Sequence, residues 1–308
     1  MFNDMTLFIV MAMATVTLTG CGGGSGSPTS ATTQATNSAT TTVTIQPYII
    51  MDGLYAGTGV RNGNTLNLVA ASVNALYQGY LLPNSNYVVF YSSPAQGVLG
   101  AMTGVSYGAS GAITTQFGEY QEGTGIQSMI SPGAINGGSL QGNYVADQYF
   151  SFNTYYKSPN YNLNINNASL TYVSGTNQNP SLSALAGNYN FTVGPTQSTA
   201  AYYGSFTIDA QGNLSNVSST ESTAATGTGT TLSSSNCGIT ASLTAGGSAA
   251  YNVTWTQTTF PAGCPAVSSL NNNSIVGYAV MPNATTLYLL VDNITSNNGF
   301  LVLQATKI

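Results

Sequence analysis

Glu119, Glu122 and Asp147 are the side chains of this sequence whose type and spacing could support hydrolysis. Two carboxylates within about 10 Å can cleave a glycosidic bond, one as general acid and the other as base or nucleophile. Glu119 and Glu122, however, flank a Tyr and a Gln in a glycine-rich segment that we expect to form a turn region. We therefore interpret both as solvated loop charges, and we expect no catalytic residue in the chain.

The absence of histidine excludes most other active-site chemistry. Without imidazole there is no Ser-His-Asp or Cys-His nucleophile, no imidazole acid or base, and no histidine-ligated zinc, haem or copper. No P-loop or dinucleotide fingerprint occurs in its required strand and helix context. The 3 basic residues are too few for a nucleic-acid footprint. We expect neither enzymatic activity nor a metal, a cofactor or a nucleic-acid partner.

The thiol of Cys21 offers a different chemistry, covalent lipidation. Leu18-Thr19-Gly20-Cys21 closes an apolar run that begins at Leu7. This run is too short for a spanning helix, which needs about 20 residues, but it is typical of an export signal. The four residues resemble the bacterial lipobox. That resemblance implies a signal peptide over residues 1–20 and acyl chains on Cys21 that hold the chain on a membrane.

Two neighbouring features bear on where this anchor lies. Residues 1–6 include Asp4 and contain no Lys or Arg, so either the signal is atypical or its true start differs. Gly22 follows the cysteine, and a resemblance to the sorting rule of Gram-negative lipoproteins implies the outer membrane. Shedding into the medium stays open, as does the alternative of a secreted protein with an incidental cysteine at its cleavage site.

Residues 21–46 are predicted to carry the lipid and to form a disordered tether. Up to about Thr42 they are almost entirely Gly, Ser, Thr, Ala, Gln and Asn, which bury too little apolar surface to offset the entropy of ordering. A flexible coil of about 21 residues reaches roughly 25 Å. A tether of this length would hold a folded domain away from the bilayer surface. The alternative to a flexible tether is a glycosylated stalk.

The rest of the chain shows the patterns of an all-β protein. Alternating apolar and polar runs recur at 86–91, 250–255 and 286–292. Turn signals separate such runs, among them Arg61-Asn62-Gly63-Asn64 and Asp209-Ala210-Gln211-Gly212-Asn213. Short strands with such turns predict antiparallel barrels or sandwiches.

A short repeat divides this region in two. The pattern G-x-Y-x-x-T occurs at Gly53 to Thr58 and again at Gly187 to Thr192. A polar segment, Thr176 to Ser181, lies between the copies and reads as a linker. We predict β domain 1 over residues 47–176 and β domain 2 over residues 177–308, as tandem antiparallel barrels or sandwiches.

The glycine and aromatic spacing of residues 48–308 carries a family resemblance. In the second half its elements are the early G-x-Y, the run Tyr203–Ile208 with the turn after it, the cysteines Cys237 and Cys264, and the closing Gly299–Leu303. In the first half they are Gly97–Gly100 and Gly138–Tyr144. Together they resemble bacterial surface lipoproteins with tandem lipocalin-like or transferrin-binding-protein-like barrels. A lipocalin would have G-x-W where this chain has G-x-Y, so the resemblance implies a fold and no ligand.

Cys237 and Cys264 are the cysteines that remain if Cys21 is lipidated. Two cysteines in an exported chain most simply form one disulfide. A loop of about 27 residues closed this way should stabilise the fold by roughly 3 to 4 kcal/mol. Neither cysteine belongs to a C-x-x-C motif, so we interpret the bridge as structural.

Charged residues make up only 4% of the chain, against about 25% in an ordinary soluble domain. Without Asp4, seven acids face Arg61, Lys157 and Lys307, so the net charge stays small from neutral pH to strong acid. Such a surface suits a protein exposed to acid, where carboxylate pairs vanish and dense positive charge destabilises the compact state. We infer the envelope of an acidophile; charge-poor adhesins and coat proteins are the alternative.

The chain contains 20 tyrosines, which can pack inside a barrel or form an aromatic binding surface. The residues considered for such a surface are Tyr77, Tyr80, Tyr87, Tyr91, Tyr149, Tyr155, Tyr156 and Tyr161. We expect most to be packing residues. The function class favoured is surface interaction: adhesion, coat formation or wetting of an apolar or mineral surface. A carrier of a small apolar ligand in a barrel interior is the alternative.

Overall fold

The structure, a computed structural model, describes thirteen stretches of the chain. They are residues 53–73, 86–93, 98–107, 111–122, 138–155, 164–176, 180–193, 200–225, 228–232, 240–246, 249–255, 275–293 and 300–308. Ile45–Ile308 form one compact unit. The predicted signal and tether, Cys21, and the pair Cys237 and Cys264 all lie outside the described residues, so their roles stay predictions.

The strands from 54 to 172 form a closed antiparallel barrel. Each strand pairs with its neighbour in sequence, and the first pairs with the eighth to complete the ring. The strands are β1 (Leu54–Arg61), β2 (Asn64–Ser72), β3 (Tyr87–Ser93), β4 (Val98–Tyr107), β5 (Gly111–Glu122), β6 (Ser139–Val145), β7 (Tyr149–Tyr155) and β8 (Asn166–Tyr172). This confirms the all-β prediction for the first half.

The strands from 187 to 307 form a second antiparallel sheet in the order β10-β9-β17-β16-β15-β14-β13-β11-β12. Because β10 also pairs with β11, the pairings close into a ring, and β12 adds a further strand on β11. The strands are β9 (Gly187–Val193), β10 (Ala200–Ile208), β11 (Asn213–Ala225), β12 (Thr228–Leu232), β13 (Thr240–Ala245), β14 (Ala250–Trp255), β15 (Ile275–Val280), β16 (Thr286–Asn293) and β17 (Phe300–Lys307).

Turn residues set the register of two hairpins. Asn62 and Gly63 have φ of 51° and 77° and join β1 to β2 as a two-residue loop, which fits a type I′ turn. Asp209 begins the turn between β10 and β11, where its carboxylate accepts from the backbone N–H groups of Gln211 at 2.9 Å and Asn213 at 2.8 Å. Both turns lie where the sequence predicts them.

Each ring encloses an apolar interior, because strand residues point alternately inward and outward. The interior cluster of the first ring consists of Tyr55, Leu66, Leu68, Ala70, Tyr87, Val89, Tyr91, Met102, Ile113, Phe117, Leu140, Tyr144, Phe150, Phe152, Ile165, Ala168 and Leu170. The second cluster consists of Leu185, Tyr189, Phe191, Phe206, Ile208, Leu214, Ala241, Leu243, Tyr251, Val253, Ala279, Leu287, Leu289, Val291, Leu301, Leu303 and Ala305. Side chains therefore occupy both interiors.

A third apolar cluster joins the outer faces of the two sheets. The first ring contributes Leu54, Val69, Ala71, Val73, Val88, Phe90, Leu99 and Ala101, and the second contributes Ala249, Ala250, Tyr278, Val280, Tyr288, Leu290 and Val302. As a result β3 is buried along its whole length. The strand predicted at 86–91 is present as β3, and both of its faces are buried because the outer face packs on the second sheet.

A single-turn helix, α1 (Leu182–Leu185), precedes β9. Its backbone carbonyls accept hydrogen bonds from two strands: the Tyr189 hydroxyl donates to Leu185 at 2.6 Å, and the Lys307 ammonium donates to Ala184 at 3.0 Å. Leu185 is buried in the second interior cluster. α1 therefore packs at the start of the second ring.

Candidate functional site

The outer face of the first ring that lies away from the apolar interface is lined mainly by neutral polar side chains, with Val60 and Val145 half-exposed on the same face. It is formed by β6, β7, β8, β1 and the start of β2. The residues are Thr58, Thr65, Asn67, Gln141, Asn143, Ser151, Asn153, Asn167, Ser169 and Thr171, all exposed or half-exposed. We call this set the amide–hydroxyl wall. Every member can both donate and accept hydrogen bonds.

Strand register places the members of the wall in rows. Asn143 lies opposite Ser151, Ser151 opposite Ser169, Ser169 opposite Thr58, and Thr58 opposite Asn67. With strands about 4.8 Å apart, this row of five side chains is roughly 19 Å wide. The wall is therefore a regular array and not a scatter of polar residues.

A glycine behind the wall allows two of its strands to approach closely. Gly57 on β1 lies next to β8, and a Cβ atom at this position would overlap the carbonyl oxygen of Ser169. Glycine inside a strand commonly marks such a close approach or a bend of a barrel. Gly57 therefore helps to bring Thr58 and Ser169 side by side in the wall.

Two tyrosines stand on the same face of β7 at the two ends of the wall. Tyr149 is 43% exposed and Tyr155 is 45% exposed, and the third exposed large apolar residue of the described chain is Ile308. The tyrosines are six positions apart, so they lie about 20 Å apart along the strand. Ser151 and Asn153 occupy the positions between them on the same face.

The other tyrosines considered for an aromatic surface are either buried or lie outside the described residues. Tyr87 and Tyr91 are buried in the interior of the first ring, as expected of packing residues. Tyr77, Tyr80, Tyr156 and Tyr161 lie outside the described residues. Nothing in the local sequence separates Tyr149 and Tyr155 from the buried tyrosines; only the pairing of β7 with β6 and β8 shows that their face is exposed.

The described side chains of the wall carry no carboxylate, ammonium or guanidinium group. Asp147, in the turn between β6 and β7, is the exposed carboxylate next to it in sequence, and its backbone N–H donates to the Tyr55 hydroxyl at 3.1 Å. The guanidinium of Arg61 is directed elsewhere: it is buried and lies 4.6 Å from the ring centroid of Tyr91. The wall is therefore electrically neutral and polar.

The repeated G-x-Y motifs serve the ring interiors. Tyr55 and Tyr189 are both fully buried near the start of the first strand of their rings. The Tyr55 hydroxyl donates to the Tyr144 hydroxyl at 3.3 Å, and burial raises the pKa of Tyr55 well above its ordinary value. Burial also raises the pKa of Tyr189, to about 12. Both tyrosines therefore stay neutral at physiological pH and act in packing.

Lys307 contributes to the second ring in a way that sequence patterns did not reveal. Its ammonium lies 6.0 Å from the ring centroid of Tyr189 while it donates to the carbonyl of Ala184. The contact joins the last strand to the first strand and to α1. Composition alone identifies Lys307 as one of 3 basic residues and gives no hint of these partners.

The carboxylates considered for hydrolysis occupy unlike positions. Glu119 and Glu122 lie on β5, paired with Met102 and Leu99 of β4, so the predicted turn region was wrong because the segment continues the barrel. Their side chains are outside the described set. Asp147 lies in the turn between β6 and β7. The described residues contain no group of three or more Cys, Asp or Glu able to hold a metal ion.

Comparison with known proteins yields distant likenesses. No protein-family model matches the sequence, and no curated protein matches it. Immune modulator A of Aeromonas veronii is 9% identical, with a TM-score of 0.29, over 86% of this chain and 97% of that one. Transferrin-binding protein B of Haemophilus parasuis is 9% identical, with a TM-score of 0.24, over 83% of this chain and 75% of that one.

A protein of unknown function from Nostoc punctiforme is also similar, at 9% identity and a TM-score of 0.25 over 83% of this chain and 96% of that one. Likenesses of this size carry no functional inference. The all-β architecture rests on the strands of the chain itself. Within the described stretches, no helix is long and apolar enough to cross a membrane.

Proposed function

We propose that the chain is a non-catalytic surface protein that makes adhesive or coat-forming contacts through the amide–hydroxyl wall. The observation that carries this proposal is the division of the first ring into two outer faces. One face, on β1 to β4, is apolar and covered by the second sheet. The other presents ten neutral polar side chains with Tyr149 and Tyr155 at its ends.

Neutrality suits such a surface to contacts that must survive changes of salt and pH. Salt screens the interactions between exposed charges that lie farther apart than the Debye length, which is about 8 Å at physiological ionic strength. Amide and hydroxyl groups are not screened in this way, and they do not titrate between acid and neutral pH. A wall without charged groups is therefore compatible with the acidic surroundings that the composition favours.

The anchoring of this protein is part of the same proposal. Residues 1–20 would be the export signal, Cys21 would carry the acyl chains, and residues 21–46 would tether the folded body to the outer membrane. The boundary between β domains at 176/177 and the bridge between Cys237 and Cys264 would complete the exported form. The support comes from the sequence patterns.

The carrier alternative finds little support in the described interiors. A small-molecule site needs a cavity of a few hundred Å³ lined by apolar side chains. In the first ring, Tyr55, Phe117 and Phe150 are among the large side chains that fill the interior. In the second, Tyr189 stacks on Phe206 with ring centroids 5.2 Å apart. A hydrolase is not supported either, because Asp147 follows the end of β6 that pairs with the start of β5, whereas Glu119 and Glu122 lie at the other end of β5.

Cell fractionation combined with an adhesion assay tests the proposal. Cells that express the native chain should hold it in the membrane fraction and bind to a surface that they otherwise leave free. Cys21→Ser should release the chain from the membrane. Native-like membrane association of Cys21→Ser would overturn the anchor, and unchanged adhesion on replacing Tyr149 and Tyr155 by Ala would overturn the role of the wall. A retained apolar molecule in native mass spectrometry would favour the carrier instead.

A further inference from the structure

The charges of the described chain limit what can occupy the amide–hydroxyl wall. A polyanion needs cations, but Arg61 is buried inside the first ring and Lys307 donates to the carbonyl of Ala184 in the second. A polycation needs carboxylates, and Asp147 is the single described carboxylate in the strands and turns of the wall. Among the described residues of this face, the charge complement is therefore a neutral partner.

The hydrogen-bonding groups of the wall demand a partner that is itself polar. Ser151 and Asn153 lie between the two tyrosines, and Gln141 and Asn143 lie opposite them on β6. The side-chain oxygen of Asn153 already accepts from the backbone N–H of Asn167 at 2.7 Å, which leaves its amide N–H groups for a partner. Covering these groups with an apolar solid would remove their water without replacement, which is unfavourable for each buried group left without a hydrogen-bond partner. A partner rich in hydroxyl groups can satisfy donors and acceptors together.

Tyr149 and Tyr155 add two apolar ring faces to this polar array. A tyrosine combines a large flat apolar face with a hydroxyl at its tip, at a low entropic cost. Sugar rings carry C–H groups on their faces and hydroxyl groups around their edges, so they match a pattern of aromatic rings separated by amides and hydroxyls. The spacing of about 20 Å between the tyrosines suits a chain of several sugar units.

We propose that the amide–hydroxyl wall binds an uncharged polysaccharide that lies along β7 from Tyr149 to Tyr155. This inference rests on the proposed function and names the chemical class of its ligand. Ser151 and Asn153 of β7, with their neighbours on β6 and β8, hydrogen-bond the sugar hydroxyl groups. The tyrosine rings stack on the sugar faces at the two ends of the bound segment.

Affinity electrophoresis in gels that contain soluble polysaccharides tests this assignment. The protein used carries the single substitution Cys21→Ser. The neutral probes are dextran, mannan, galactomannan and hydroxyethyl cellulose, and the charged probes are heparin and alginate. We expect retardation by at least one neutral probe and by neither charged probe. Replacing Tyr149 and Tyr155 together by Ala should weaken the retardation by at least about tenfold, since an anchoring tyrosine contributes more than about 1 kcal/mol.

Two matched controls separate binding from folding. Replacing both tyrosines by Phe keeps the rings and should retain binding within about threefold, because only the hydroxyl contacts are lost. Replacing Asn190 and Thr306, exposed side chains paired on the outer face of the second ring, by Ala should leave binding unchanged. Circular dichroism must show the same β signal in every variant that is compared.

The outcomes distinguish this inference from the function on which it rests. No retardation by any neutral probe, with adhesion of cells still dependent on Tyr149 and Tyr155, overturns the polysaccharide assignment and leaves the surface function standing. Tyrosine-dependent self-association of the purified chain would assign the wall to a second copy and also overturn the assignment. If neither retardation nor adhesion depends on the tyrosines, both proposals are wrong.

Discussion

Tyr288 of the second ring stacks on Phe90 of the first, with ring centroids 5.5 Å apart and an interplanar angle of 26°. Its hydroxyl also lies 3.2 Å from the Ser92 hydroxyl, within hydrogen-bonding distance. Tyr288 is thus both an apolar and a polar contact between the two sheets. Because 196 residues separate Tyr288 from Ser92, this contact forms only when both halves of the chain are folded.

Truncation of Tyr288 is expected to destabilise the fold more than truncation of an exposed tyrosine. Tyr288→Phe removes one hydrogen bond and should lower the free energy of unfolding by about 1 kcal/mol. Tyr288→Ala also leaves a cavity in the buried cluster and should cost about 3 to 5 kcal/mol. Urea denaturation at neutral pH measures both values.

Tyr155→Ala is the matched control, since that ring is 45% exposed and its loss should change stability by no more than about 0.5 kcal/mol. If Tyr288→Ala and Tyr155→Ala cost the same, the aromatic contact between the sheets does not stabilise the fold.

Gly212 and Gly63 form a second matched pair. Both have positive φ, 85° for Gly212 and 77° for Gly63, so alanine at either position meets backbone strain of roughly 1 to 2 kcal/mol. A Cβ atom at Gly63 meets no atom within 4 Å, whereas at Gly212 it would overlap the carbonyl oxygen of Leu243. Gly212→Ala should therefore be the more destabilising by at least about 1 kcal/mol, as measured by thermal or urea unfolding. Equal losses would show that the turn moves away from β13 without cost.

Alkaline pH is expected to destabilise the second ring through its buried tyrosines. Burial raises the pKa of Tyr189 and of Tyr251 to about 12, against about 10 in an unfolded chain. The folded state therefore holds these protons more tightly. The stability that results is fully present below about pH 10 and is lost as the pH rises from there towards about 12.

Urea unfolding across this range should show a falling free energy of unfolding, with tyrosinate absorbance appearing late in the folded protein. Tyr189→Phe removes one of the titrating groups and should make the fall shallower. A free energy of unfolding that is constant between about pH 8 and 12 would contradict the burial of these phenols.

The sequence predicted strands better than it predicted their surroundings. The runs 250–255 and 286–292 coincide with β14 (Ala250–Trp255) and β16 (Thr286–Asn293), because alternation and turn residues act locally. The run 86–91 lies on β3, and nothing near Phe90 in the sequence signals that Tyr288 covers the outer face of this strand. Burial that arises from contacts across the whole chain leaves no local pattern.

The candidate site, too, could be predicted from the sequence only in part. Neutral composition correctly indicates a surface wetted by amides and hydroxyls, but the rows of the wall depend on the pairing of β8 with β1, two strands far apart in sequence. Glu119 and Glu122 were assigned to a turn because glycines surround them, yet β5 continues through both since β4 supplies a full set of partners. Glycine frequency is a poor guide in a barrel that uses glycine inside its strands.

We expect acid to lower the stability of this protein only slightly. The side chain of Asn213 and the backbone N–H groups around Asp209 lower the pKa of that carboxyl group. The stability that Asp209 adds is therefore present above the ordinary carboxyl pKa and is lost as the pH falls through its lowered value. Asp209→Asn keeps a side-chain acceptor without the charge, so it should remove the pH-dependent part of this effect.

Circular dichroism and urea unfolding between about pH 2 and 7 test the expectation, and the native β signal should persist to about pH 2. Loss of that signal above about pH 3 would overturn the inference that the chain comes from the envelope of an acidophile. A difference in stability between the native chain and Asp209→Asn that does not shrink on acidification would contradict the role assigned to Asp209.

The predicted disulfide between Cys237 and Cys264 links the connection between β12 and β13 to the connection between β14 and β15, so the loop that it closes contains β13 and β14. On the chain-entropy model, such a bridge restricts the unfolded chain and contributes roughly 3 to 4 kcal/mol. Replacing both cysteines by Ser should therefore lower the free energy of unfolding by about this amount under oxidising conditions and by little under reducing conditions. Mass spectrometry of the exported protein should show one bridge and no free thiol. Equal stability of the native chain with and without reductant, together with two free thiols, would show that this bridge does not form.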